Sequence, residues 1–361
     1  MSKLYEVANY SESRIKSNNI SLENYVTTDS LLQNKQGRIP AKNLPPQSCT
    51  LIAYYKNDIL IGNIRPYLQK IWFADSDRGN SADVLTLAVN KNHNPKFVYY
   101  ALLSDSFFEH MMNGSKGSKM PRGDKNQILT YDIPDFSIEQ ENKIASVLST
   151  LDAKIALNRQ LNDNLEAMAK TLYDYWFVQN ADKNWRKCKL SEIAEVNRGT
   201  MITEKLTKEG NIKVVAGGVD FNYYHSEYNR EKNTITVSGS GANAGFVNFW
   251  YERIFASDCT TIRGKEDIDT FLIYQFLKSH QEILYRSAKG SAQPHVYPSD
   301  IKDLPFYDIP KEVKQKISPL FTKIYEQIAL NLQQTQELTQ LRDWLLPMLM
   351  NGQVSVNYHL A

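Results

Sequence analysis

The sequence predicts an α+β fold made twice over. Two globular segments of mixed helix and strand are separated by two long helices that pair as an antiparallel coiled coil, the halves forming a pseudo-twofold internal repeat. Three observations predict it. Ile155-Ala156-Leu157-Asn158 returns as Ile328-Ala329-Leu330-Asn331, 173 positions on (328 − 155), each time inside a long apolar-periodic stretch. At the same offset Gly117-Ser118-x-x-Pro121 matches Gly290-Ser291-x-x-Pro294, and Ile144 matches Ile317. A chain of 361 residues suits about two domains, and a period this long is a duplication of domains rather than a solenoid.

The first globular segment, 1–136, opens on Lys3-Leu4-Tyr5-Glu6-Val7-Ala8. The second, 181–308, opens on the similar Lys189-Leu190-Ser191-Glu192-Ile193-Ala194. Apolar runs at 58–64 and 234–237 predict strands, and 95–105 and 269–280 predict helices. The spacer that follows, 137–180, begins with Ser137-Ile138-Glu139-Gln140, which has capping-box form. Ile144, Leu148, Leu151 and Ile155, then Leu165, Ala169, Leu172 and Trp176, fall in steps of three and four. That is a coiled-coil seam on a helix of about 58 Å at 1.5 Å per residue.

The second spacer and tail, 309–361, keep the seam less regularly. Pro319 predicts that the main helix starts there after a short turn. Pro347 predicts a kink or an end, with Gly352 marking the stop. Asn158 and Asn331 lie on the apolar stripe near the middle of each helix. Facing each other across an antiparallel pair, their amides satisfy one another and pin the register. On the edge of the stripe they would face water instead.

Composition narrows the classes of function. Hydrophobic content of 42% and charged content of 23% are those of an ordinary globular chain. No apolar run approaches the roughly 20 residues that span a bilayer, and the opening residues lack a signal-peptide core, so a cytoplasmic protein is expected. Cys49, Cys188 and Cys259 are odd in number and widely spaced, which predicts reduced thiols and no zinc site. The net charge of +2 decides little. Locally, residues 114–125 hold Lys116, Lys119, Arg122 and Lys125 against Asp124 alone.

No constellation for catalysis emerges. The glycine-rich stretch Gly239–Gly245 is not followed by Lys-Ser/Thr and so is no Walker A motif; a glycine-rich hairpin is the commoner explanation. The histidines show no metal-ligand spacing. Asn43-Leu44-Pro45-Pro46 lacks the Asn-Pro-Pro-aromatic order of an amino-methyltransferase site and is read as a proline-rich loop, and no G-x-S-x-G or H-E-x-x-H occurs. Neither catalytic nor metal-binding residues are assigned.

Several words together are more telling: IEQENKIASVLSTLDAKIALNRQLNDNLEAMAKTLYDYWF (138–177), LRDWLLPMLMNGQV (341–354), and the two G-S-x-x-P segments. Ile61-Gly62-Asn63-Ile64-Arg65-Pro66-Tyr67 with Lys70-Ile71-Trp72-Phe73 adds to them. Along essentially its whole length the chain resembles the specificity subunits of type I restriction–modification systems. The resemblance implies a non-catalytic subunit whose two target-recognition domains each read one half of a split sequence in double-stranded DNA. The helices would set the spacer and dock two methyltransferase subunits, with room for restriction (nuclease or translocase) subunits. S-adenosylmethionine, ATP and magnesium would sit on those partners and not on this chain.

Two clusters per domain are the candidate DNA contacts. They are Arg65, Tyr67 and Lys70 with Lys116, Lys119, Arg122 and Lys125 in the first domain. In the second they are Ser240 and Asn243 with Lys289, Gln293, His295 and Tyr297. Lysines suit phosphates, while Arg, Asn and Gln have the geometry to read guanine or adenine edges; taken singly, each is more often an ordinary surface residue than a base reader, and the clusters carry the expectation better than their members. Tyr173, Trp176 and Trp344 are candidates for partner docking, with core packing as the alternative. Two other functions compete: an assembly scaffold for methyltransferase subunits with degenerate DNA recognition, and an unrecognised nuclease or methyltransferase.

Overall fold

The computed structural model describes residues 1–287 and 294–356. They form two compact units, one of Met1–Ile155 with the segment from Glu337 onward, the other Ala156–Gln336. Both long helices therefore contribute one stretch to each unit.

The recurring opening words have one physical cause. In Leu4–Val7 and Leu190–Ile193 a single helical turn is closed by the glutamate three residues on. Lys3 N–H donates to Glu6 (2.9 Å) and Lys189 N–H to Glu192 (2.8 Å), the return half of a capping box. Leu4 and Leu190 are fully buried. Their N–H groups donate to the carbonyls of Tyr131 (2.8 Å) and Leu304 (3.0 Å). Those acceptors adjoin the short strands Asp132–Ile133 and Pro305–Tyr307, which pair antiparallel with Ser2–Lys3 and Lys187–Lys189.

Each unit then builds a four-stranded antiparallel sheet in the same order. In the first unit it runs Ala8–Tyr10, Val84–Val89, Ile59–Gly62, Ile71–Phe73; in the second, Ala194–Arg198, Cys259–Gly264, Thr234–Ser238, Val247–Trp250. A further small sheet accompanies each and includes one parallel pair. Side chains alternate between the faces of a strand, and both faces of Ile59–Gly62 are covered. Ile59 and Ile61 pack with Phe97, Phe107 and Met111, while Leu60 packs with Val26, Tyr54 and Trp72. This double burial explains an apolar run without alternation. Helix Pro95–Leu102 starts where the Asn94 side chain accepts from the N–H groups of Lys96 and Phe97, which satisfies two orphan donors.

The first long helix, Ile138–Tyr173, continues into a π-helical turn, Asp174–Gln179. Ser137 and Gln140 form the expected capping box, with N···O distances of 3.2 and 3.3 Å. The second long helix corrects an expectation: Lys311–Met350 is continuous, neither starting at Pro319 nor ending at Pro347. Both prolines are exposed, so the carbonyls they leave unpaired face water. The seam residues Ile317, Phe321 and Leu349 are buried on the inner side; their packing holds the helix together through each interruption. Gly352, in the left-handed region at φ 68°, ends it as expected.

Within the second unit Asn158 contacts Gln334 while Lys316 lies over the Trp176 ring, so the two helical segments run in opposite directions there. Asn158 and Asn331 are buried at 1% and 5% exposure. Their amides do not pair with each other as anticipated. Asn158 Nδ2 donates to Gln334 Oε1 (2.9 Å) and to the Asn331 carbonyl (3.5 Å), and Asn331 Nδ2 donates to Asn162 Oδ1 (2.8 Å). One turn of stagger lets a longer or adjacent amide meet each asparagine, so neither is left unsatisfied.

Glu166, on the first long helix, is partly buried against Tyr251, whose hydroxyl donates to it at 3.0 Å. Burial holds this carboxyl above the usual carboxylate range, partly offset by the Tyr251 hydrogen bond. The folded state therefore keeps the proton more tightly than the unfolded chain, and stability falls as pH rises from the unfolded pKa through the folded one. Glu166→Gln removes that dependence. Its melting temperature relative to wild type should be higher at pH 7 than at pH 4, read from thermal melts; an equal difference at both pH values would contradict it. Among the described residues no helix is long and apolar enough to cross a membrane.

Candidate nucleic-acid interface

In each unit a β-hairpin of the four-stranded sheet carries its loop to a proline-containing segment. Residues 63–70 join Ile59–Gly62 to Ile71–Phe73, and residues 239–246 join Thr234–Ser238 to Val247–Trp250. In the first unit Arg65 N–H donates to the Pro121 carbonyl (2.7 Å) and Gly123 N–H to the Asn63 carbonyl (3.3 Å). In the second, Gly241 N–H donates to the Pro294 carbonyl (3.2 Å) and Val296 N–H to the Gly239 carbonyl (3.1 Å). The two prolines are those of the repeated G-S-x-x-P words.

A third segment closes each junction. Asn63 N–H donates to the Asp83 carbonyl (2.9 Å), and Gly239 N–H to the Asp258 carbonyl (3.2 Å). The residues that donate to the two proline carbonyls both have left-handed backbones. Gly241 adopts φ 81°, a conformation that costs glycine little. Arg65 adopts φ 53°, which is uncommon for a side-chain-bearing residue; the ring of Pro66 fixes its own φ at the following position, and the bond to the Pro121 carbonyl holds the turn. The glycine-rich stretch is thus the loop of a hairpin.

The structure gathers the first-domain candidates from two distant stretches. Arg65 and Tyr67 are exposed, and the bridges Ile64–Arg122 and Lys116–Arg122 set the basic segment beside them. Arg122 lies 3.1 Å from Asp83, and Lys116 lies 3.1 Å from Asp124. The Gln127 N–H, Lys116 and the Asn126 N–H hold the Asp124 carboxyl below the usual carboxylate range. Lys125 lies over the Tyr10 ring at 5.9 Å. Lys70 is half-buried and donates to the Thr28 carbonyl, so its ammonium is occupied within the protein. Arg65 and Lys119 have no ion-pair partner among the described residues.

In the second unit Ser240 bridges to His295, whose ring stacks on Tyr297 at 6.0 Å, and Tyr297 is exposed. The Ser240 hydroxyl donates to Asp258, and Arg198 lies 3.9 Å from the same carboxylate. Asn243 is half-buried within the loop, its carbonyl accepting from Phe246 N–H (2.9 Å). Lys289 and Gln293 lie outside the described residues.

Sequence reasoning missed Asp83, Asp258 and Arg198. A signal was present: Ser81-x-Asp83 and Ser257-Asp258 immediately precede the equivalent strands Val84–Val89 and Cys259–Gly264. The docking candidates need a correction as well. Tyr173 is buried at 6% exposure, and Trp176 packs against the same core, because both lie on the helix face turned toward the second unit's sheet and helices. Trp344 is exposed.

The family model described as Type I restriction modification DNA specificity domain matches residues 1–167 and 182–340. The chain is 24% identical over 299 residues to the Type I restriction enzyme MjaIX specificity subunit of Methanocaldococcus jannaschii, covering 72% of this chain and 69% of that one. It is 33% identical over 165 residues to the Type I restriction enzyme HindI specificity subunit of Haemophilus influenzae, covering 43% of this chain and 35% of that protein. A crystal structure of the Type-I restriction-modification system S subunit from M. genitalium shares the fold, with a TM-score of 0.62 at 18% identity over 97% of this chain and 95% of that one. With the model matched once in each half, the chain belongs to the type I restriction–modification DNA specificity family.

Proposed function

We propose that the chain is the non-catalytic DNA-specificity subunit of a type I restriction–modification complex, in which each unit reads one half of a bipartite target. The observation that carries this reading is the junction built twice on the same strand order, each with exposed polar or cationic groups. Two unequal sets of side chains on one scaffold suit two different half-sites. In this reading the recognition domains occupy 1–136 and 181–308, and the two helices form an antiparallel coiled coil relating the halves by a pseudo-twofold axis. Asn158 and Asn331 set its register through their staggered amide partners. A helix of 36 residues is about 54 Å long, enough to hold apart half-sites one DNA turn, about 34–36 Å, from each other.

Methyltransferase subunits would dock along the helices, where Leu157, Leu161, Leu330, Leu341 and Trp344 are exposed, and restriction subunits would join through them. S-adenosylmethionine, ATP and magnesium would belong to those partners.

Nuclease protection by the complex reconstituted with methyltransferase subunits tests the function. Duplexes selected from a random library should show two protected blocks with an unprotected gap. Protection of one continuous block, or none, would reject it in favour of a scaffold. Lys119 is expected to contact a phosphate. Lys119→Ala should then flatten the slope of log K against log salt by about 0.9, and an unchanged slope would remove it from that role.

A further inference from the structure

The two junctions share a feature that a protein surface built only to attract DNA phosphates does not need. Strand register pairs Gly62 with Val84 in the first unit and Ser238 with Cys259 in the second. The residues just before Val84 and Cys259 are Asp83 and Asp258, so an acidic side chain occupies the same position in both sheets. Each backbone carbonyl accepts the first N–H of the adjoining hairpin loop, at 2.9 and 3.2 Å. Each carboxylate then engages a polar group of the junction. Asp83 Oδ1 lies 3.1 Å from Arg122 Nη2. Asp258 Oδ2 accepts from the Ser240 hydroxyl, and its Oδ1 lies 3.9 Å from Arg198 Nη2.

Neither pair is placed to serve stability. The side chains of Asp83 and Asp258 keep 39% and 25% of their surface, and those of Arg122 and Arg198 keep 58% and 66%; ion pairs this exposed contribute little. A carboxylate on a polyanion-binding surface also opposes every phosphate that approaches, correct or not. Such a charge weakens binding overall and favours discrimination.

Resting on the DNA-recognition reading, we propose that Asp83 and Asp258 are equivalent positioning residues that set the base discrimination of their own junctions by restraining the cation and the loop beside them. An unrestrained Arg122 would take a phosphate of any sequence. Held by Asp83, it leaves the carboxylate only for a duplex that also satisfies the surrounding contacts. Asp258 acts in the same way on Arg198 and keeps the Ser240 hydroxyl aimed within the loop.

The test uses the full chain reconstituted with methyltransferase subunits, carrying Asp83→Asn or Asp258→Asn, which keep side-chain shape and remove one charge. Binding to a non-target duplex is measured against salt, and targets are selected from a random duplex library. Each variant should steepen the slope of log K against log salt by about 0.9, so a fourfold fall in salt strengthens non-target binding about 3.5-fold more than in wild type. The steepening by D83N should vanish in the R122A/D83N double variant. In the selected motif, D83N should blur one half only and D258N the other half only. A purely structural role would move melting temperature and none of these readouts. Unchanged slopes, or both halves blurred by either variant, would overturn the proposal while leaving the DNA-recognition reading intact. A wild-type complex that selects no two-part motif would overturn both.

Discussion

Tyr325→Ala is expected to destabilise the Ala156–Gln336 unit by about 3–5 kcal/mol, the range for removing a large buried aromatic ring. Tyr325 is 1% exposed and stacks on Phe271 with centroids 4.1 Å apart and planes 11° apart; Phe249 lies at 5.2 Å. Phe249, Tyr251, Phe271 and Tyr274 all lie against this ring, so removing it leaves a cavity in a packed aromatic cluster. Its hydroxyl also accepts from Gln275 Nε2 at 2.9 Å, and Gln275 is itself buried. Burial raises the Tyr325 phenol well above its ordinary pKa, so it stays neutral. Tyr325→Phe keeps the ring and orphans the amide, and should cost about 1–3 kcal/mol. Urea unfolding of the full chain checks both variants. A Tyr325→Ala loss no greater than that of Tyr325→Phe would show that the ring is not central to this core.

Asn331→Leu is the second large effect. It removes the donor to Asn162 Oδ1 and the acceptor of Gln327 Nε2, which lie at 2.8 and 2.9 Å. Gln327 is exposed and finds water, whereas Asn162 is half-buried. The expected loss is about 1 kcal/mol, the lower end of the cost of an unpaired buried polar group, because Asn162 keeps part of its surface. Replacing both partners, N162L/N331L, should recover part of it, because an apolar pair leaves no stranded acceptor at that level. Urea midpoints of the two variants decide the matter: equal losses would mean that the amide network does not restrain the packing.

The parts legible in the sequence are those whose causes are local or periodic. The Glu6 and Glu192 capping turns, the Ser137 capping box and the apolar seam each depend on residues within a few positions of one another. Recurrence made them easier to see, since both halves carry words such as K-L-x-E-x-A for the same backbone reason. The basic segment 114–125 and the glycine-rich loop were likewise visible as compositional anomalies. Local signals misled at Pro319, where the helix breaker is real but its lost hydrogen bond faces solvent and the buried side chains around it outweigh the break. They misled again at Tyr173, because aromatic content does not say which side of a helix is turned inward.

By itself the sequence determined the family, the two α+β halves, the two long helices, and the basic and glycine-rich stretches as separate candidates. Periodicity, capping and repetition act over short separations, and the order of residues alone specifies them. Only the tertiary structure decided that Arg65 meets Pro121, that Gly241 meets Pro294, and that Asp83 and Asp258 stand beside those loops. Such meetings depend on strand order and register, which join residues tens of positions apart, and a one-residue slip in register turns each strand's side chains to the opposite face. The partners of Asn158 and Asn331 were decided in the same way, by a stagger between packed helices of one turn at most.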